Sequence, residues 1–300
     1  MTRRRLAVFL LAGTLVAGCS GSSTLATVEG ETIDATELAA LHPAGADLDA
    51  EERAASLFLI ILHRLLVEGA RQQFDLVVSE SAVDAAFADR TQGLGDDVDR
   101  GLAERGVTAE RVRLEAELDV VRAGVEEALV RSGSPGFDFA AAYRTFLSTN
   151  SSVCLVVLQL ADAELSAPIR AEAEAGNDLD VIFERYPDRT ARLDMGCRSP
   201  IEHGAELAPV ALDGEVGRSY VRDTADEAIY LVKVVERQAP AADDVRDEVI
   251  AGAIASQGPE LFDAWAVEIL QNAEVTVDDG VGSWGTTPQT GDVPTVVARG

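Results

Sequence analysis

The chain has 300 residues, 52 of them acidic against 25 basic, a net charge of −27 and 47% apolar content. That is enough apolar material for at least one full core, which excludes a disordered acidic tail, and the charge would repel nucleic acid. Three Cys and three His exclude a disulfide-dense scaffold and leave little for a metal site. No cofactor and no metal are expected, and the length suggests about two domains.

Arg3, Arg4 and Arg5 precede an apolar run of 11 residues, Leu6 to Val16, and then the small Ala17 and Gly18. This is the order of an export signal. The run is too short for a membrane-spanning helix, which needs about 20 residues, so cleavage is expected. Leu15-Val16-Ala17-Gly18-Cys19 resembles the lipobox of bacterial lipoproteins. The resemblance implies lipidation at Cys19, a signal peptide at 1–18, a Ser/Gly tether at 19–24 and anchoring to the outer face of the cell membrane. Loss of three Arg would take the net charge from −27 to −30. The alternative is an ordinary signal peptide with a chance cysteine.

With Cys19 so used, Cys154 and Cys197 form an even pair in a compartment that permits disulfides. A bond between them is expected, closing 43 residues. The alternative is two separate buried thiols, because sequence alone cannot bring the sulfurs together.

Ala26-Thr27-Val28 and Glu31-Thr32-Ile33 read as short strands about a turn at Glu29-Gly30, and Asp34 with Glu37 has the spacing of a capping box. A helix over 51–74 carries Leu57, Phe58, Ile61, Leu62, Leu65 and Leu66 on one stripe. His63 within it reads as an interface residue. Further helices are expected at 79–90, 108–131 and 137–147. The stretch 93–106 reads as a solvated acidic loop, its Asp96, Asp97 and Asp99 lacking the order of a calcium loop.

Val153 to Leu158 is a continuous apolar run of central-strand length. Helices follow at 168–175 and 179–186, then a second apolar strand at 228–235. Helical pattern returns over 243–273, interrupted at Gly258-Pro259, and Pro288, Gly291 and Pro294 mark a disordered tail from about Gly285. The expectation is an α+β chain: a discontinuous helical domain from 25–150, with a C-terminal helix at 240–277 packed on it, and an inserted α/β module at 151–239. Residues 278–300 form the tail.

These residues resemble the SurA/PrsA class of exported foldases, in which a helical chaperone domain carries a parvulin-type prolyl isomerase module. The segment ATVEGETIDATEL is similar to the opening of the chaperone domain, and EAEAGNDLDVIFERYPD to the parvulin Ala-Gly helix. LDMGC is similar to the Gly-Gly-Asp-Leu-Gly loop, LDGEVG to the Pro-Gly-Glu-Val turn, AIYLVKVVER to the closing strand and VTVDDGVGSW to the ending of exported relatives.

The departures bear on mechanism. Where the resemblance would place the two parvulin histidines, this chain has Cys154 and Tyr230, and Asp188 matches the acidic or thiol position. Arg192 and Leu193 stand for the two loop glycines. The resemblance therefore implies a degenerate module that binds rather than catalyses. Cys154 as a nucleophile is a lesser alternative, and His203 reads as a solvated loop residue. No G-x-S-x-G, Gly-Lys-Ser/Thr or H-E-x-x-H motif occurs. Three functions follow: a lipid-tethered chaperone for unfolded exported proteins, an active prolyl isomerase with a divergent site, or a scaffold for one envelope partner. The membrane is met through the lipid alone.

Overall fold

The computed structural model describes residues 23–94, 97–160, 166–224 and 228–299. The expected signal peptide, Cys19, most of the expected tether and Asp96 lie outside them. Two compact units divide the chain: Met1–Val121 with Ala266–Gly300, and Arg122–Trp265.

In the first unit β1 (Thr24–Val28) pairs antiparallel with β2 (Glu31–Asp34). Glu29 and Gly30 between them have φ of 50° and 86°, the doubly positive pair that a two-residue hairpin with right-handed twist requires. On its other side β1 pairs with β7 (Val275–Val277), so the start of the unit is zipped to its end.

Asp34 caps α1 (Ala35–Ala40), its Oδ1 accepting from the backbone N–H of Thr36 at 2.7 Å and of Glu37 at 3.1 Å, while Glu37 Oε1 accepts from Asp34 N–H. Asp49 and Glu52 repeat this reciprocal cap before α2 (Ala50–Phe74). Each box satisfies backbone donors that would otherwise be orphaned at a helix start. Leu57 and Ile61 of α2 are fully buried against Ala26, Val28, Ile33, Leu270 and Val296.

α3 (Glu80–Thr91) follows, and then α4 (Val98–Glu104) occupies part of the stretch expected to be a loop. Two features account for the helix. Asp97 accepts from the backbone of Arg100 as an N-cap, and Leu102 supplies a buried anchor. Asp97 and Asp99 thus sit at a helix start, where carboxylates are favoured by the dipole.

The expected disordered tail is also overturned. β8 (Gly282–Gly285) pairs with β9 (Thr295–Ala298), Val296 is buried in the same core as α2, and Trp284 lies 6.2 Å from the Phe58 ring. A short apolar pair of strands with a ready hydrophobic surface outweighs the Pro and Gly that separate them.

α5 (Ala109–Ser132) and α10 (Arg246–Asn272) each run across a unit boundary. α10 continues through Gly258-Pro259, where an interruption was expected. A proline inside a helix costs about 3 kcal/mol, and here apolar burial on both sides of it, at Val249, Ile250 and Ala253 and again at Phe262 and Trp265, keeps the axis whole.

The second unit is built on a sheet of order β4-β3-β6-β5. Its strands are β3 (Ser152–Leu160), β4 (Thr190–Arg198), β5 (Ser219–Asp223) and β6 (Ile229–Gln238), all antiparallel to their neighbours. β3 is interior to the sheet, and its near-continuous apolar run is explained by burial on both faces. On one face Val153, Leu155, Val157, Val232 and Val234 pack with Leu207, Val210 and Ala211 around α9 (Ala208–Asp213). On the other, Leu158, Leu160 and Leu231 pack with Ile169 of α7 (Ala167–Glu174) and Leu179 and Ile182 of α8 (Leu179–Arg185). A third cluster joins Val130, Ala142 of α6 (Phe139–Asn150), Val249 and Ala253. The boundaries expected at 150/151 and 239/240 follow the sheet, whereas compactness divides the chain inside α5 and α10.

Candidate functional site

The strand register decides which of the expected site residues meet. Cys154 stands opposite Cys197 on β4 and opposite Glu236 on β6. Tyr230 stands opposite Gln159, five residues further along β3. Cys154 and Tyr230, the two positions matched to the family histidines, lie near opposite ends of the sheet. Asp188 is exposed in the turn before β4 and is nearer the Tyr230 end.

Tyr230 also faces Arg222 on β5. Successive side chains on a strand alternate between faces, and Leu158 and Leu160 lie on the α7/α8 face while Val157, Tyr220 and Tyr230 lie on the α9 face. Gln159, Tyr230 and Arg222 thus form a polar row across three strands on the α9 face, one same-face step from the partly buried Leu193, which pairs with Val157. Arg222 Nε is buried and has no hydrogen-bond partner among the described residues. Leaving such a donor unmet is costly, and because the atom is buried an incoming carbonyl would reach it only after the Arg222 side chain moves. Gln159 and Arg222 were missed in the sequence because only strand register places them beside Tyr230.

Around α9 on the same face, hydrogen bonds and an ion pair tie the helix to its surroundings. Arg237 donates to the carbonyls of Ala211 at 2.8 Å and Gly214 at 2.7 Å, closing the C-terminal end of α9. Tyr220 Oη accepts from Glu215 N–H at 2.7 Å. Arg144 of α6 holds Asp213 of α9 in an ion pair. The Asp213 carboxyl lies below its ordinary value of 3.8, chiefly through its hydrogen bond with Arg144, with the charges of Arg237 and Arg222 adding to it. A depressed acid stabilises the fold above the unfolded pKa and loses that contribution as pH falls through the folded value. An NMR titration should therefore find the Asp213 carboxyl midpoint below 3.8, and Arg144→Ala should move it upward.

His203 is not solvated. It ends a 3-10 turn, Pro200–His203, is 4% exposed, and its Nε2 donates to the Val153 carbonyl at 2.7 Å. It secures β3 from a turn 50 residues away in sequence. His63, on α2 of the first unit, meets Glu117 Oε2 at 2.9 Å. Among the described residues no cluster of His, Cys, Asp and Glu is arranged to hold a metal.

The sulfurs of Cys154 and Cys197 are joined, at 2.02 Å. The antiparallel register of β3 and β4 sets the two residues directly across from each other. LDMGC, read as similar to a loop, lies within strand β4 instead, because Leu193 and Met195 alternate into the core between exposed Arg192, Asp194 and Gly196.

No protein-family model matches the chain, and neither does any curated protein. Among solved structures, the chain is similar to the PrsA peptidylprolyl isomerase of Bacillus cereus, at 14% identity and TM-score 0.44, over 87% of this chain and 95% of that one. It is similar to the foldase PrsA of Lactococcus lactis at 12% identity and TM-score 0.42, over 86% and 96%. A SurA-like chaperone structure from Campylobacter jejuni has 12% identity and TM-score 0.31, over 85% and 99%. The chain's own helices and small antiparallel sheets make it an α+β protein.

Proposed function

We propose that the chain is a lipid-anchored extracytoplasmic chaperone that binds unfolded or newly exported proteins, with an α/β unit that holds extended backbone without turning over prolyl bonds. The observation that carries this reading is the row Gln159–Tyr230–Arg222. It offers hydrogen-bond donors on a sheet face near apolar Leu193, and the imidazoles that the family resemblance would place in the module are replaced. Catalysis of prolyl exchange must lower a barrier of about 18–20 kcal/mol by holding the ring and stabilising a twisted amide. Tyr and Arg here supply donors for a carbonyl, which is what binding needs.

The anchor is assigned to Cys19, in keeping with the fact that no helix among the described residues is long and apolar enough to cross a membrane. The net charge of −27 favours basic clients and keeps loaded complexes apart. The test is light scattering from a denatured basic client with the Cys19→Ala chain present. Suppression near equimolar ratio, weakened by salt, is expected. A chain that neither slows aggregation nor binds an unfolded peptide would overturn the reading.

A further inference from the structure

β4 is an edge strand, and the residues flanking its disulfide differ sharply in exposure. Val153 and Leu155 on β3 are buried, Cys154 between them is half-buried, and Gly196, Cys197 and Arg198 on β4 are all exposed. The bond therefore lies open at the rim of the sheet, outside both of its apolar cores. Arg198, the next residue of β4, points to the opposite face, and Glu236 stands across from Cys154 on β6, so exposure and not local charge favours attack at Cys197.

We propose that Cys154–Cys197 is a thiol-exchange site, opened from its Cys197 side by a dithiol reductant. A thiolate of the dithiol attacks Cys197 Sγ. The Cys154–Cys197 bond breaks, a mixed disulfide forms on Cys197, and Cys154 leaves as a thiolate and takes a proton. The second thiol of the reductant then attacks its own sulfur in the mixed disulfide and releases Cys197 as a thiol. The dithiol gives up two electrons and two protons, and the two cysteines take them up. Attack at Cys197 rather than Cys154 follows from exposure, since access selects the sulfur attacked.

The edge survives the exchange because other contacts hold it. The β3–β4 ladder runs on from Val156 to Leu160 beyond the cysteines, and His203 still donates to the carbonyl of Val153, beside Cys154. Reduction then loosens the Cys197 end of β4 while the rest of the sheet stays paired, and reoxidation restores it.

The experiment uses the full chain with dithiothreitol as the probe, under native conditions and in denaturant, followed by alkylation and peptide mapping that separates Cys19 from the other two. Native reduction within about tenfold of the denatured rate is expected, with faster amide exchange confined to Met195–Arg198. In single variants the Cys197 thiol of Cys154→Ser should alkylate at least tenfold faster than the Cys154 thiol of Cys197→Ser. Native reduction more than a hundredfold slower than in denaturant, equal alkylation of the two thiols, or loss of the whole sheet on reduction would each overturn the proposal.

Discussion

Replacing Cys154 and Cys197 together by Ser should lower the stability of the α/β unit by about 4 kcal/mol, the chain-entropy value for a loop of this size. The bond joins residues 43 apart, so its loss frees a long stretch of the unfolded chain, including α7, α8 and most of β4. The effect acts on the unfolded state, and the folded variant should keep the β3–β4 register. Urea unfolding followed by a probe in this unit measures it. Adding reductant should bring the wild-type curve onto that of the variant and leave the variant unmoved. Identical curves for wild type and variant without reductant would show that the bond contributes no stability.

Ile61→Ala should destabilise the first unit by about 2–5 kcal/mol, the range for deleting most of a buried aliphatic side chain and leaving a cavity. Ile61 is fully buried on α2 among Val28, Ile33 and Leu270, in a core that joins strands from both ends of the unit. Such a site has little freedom to collapse, since its walls belong to a paired sheet and a 25-residue helix. Gln72→Ala, on the exposed end of the same helix, should change stability by less than about 0.5 kcal/mol. Thermal unfolding of the two variants side by side isolates the loss of core packing, since Ala is the best helix former and neither change lowers helix propensity.

What could be read from the sequence was what local chemistry dictates. The capping box at Asp34 and Glu37, the α2 stripe and the apolar run of β3 are each settled by neighbours within one element, and each occurs in the structure. What could not be read depends on partners far away. His203 has no local mark of burial, because its acceptor is the carbonyl of Val153. β4 was hidden because few of its nine residues face inward, Thr190 buried and Leu193 and Met195 partly so, too short an apolar pattern to mark a strand. β9 looked disordered because Val296 is buried by α2, more than 200 positions earlier.

The candidate site illustrates the same limit. Family likeness marked Cys154 and Tyr230, but only the register shows that the two lie near opposite ends of the sheet. Irregularities in the register beside Cys154, on both the β4 and the β6 side, cannot be counted from sequence. Gln159 and Arg222 join Tyr230 only when three strands are laid side by side.

The most direct test of the account is a prolyl cis/trans exchange assay on the Cys19→Ala chain, run beside aggregation suppression on the same preparation. The account predicts exchange no faster than in buffer, together with suppressed aggregation that weakens when Tyr230 and Arg222 are both changed to Ala. Rapid exchange that is lost on changing Tyr230 would contradict it and make the α/β unit an isomerase.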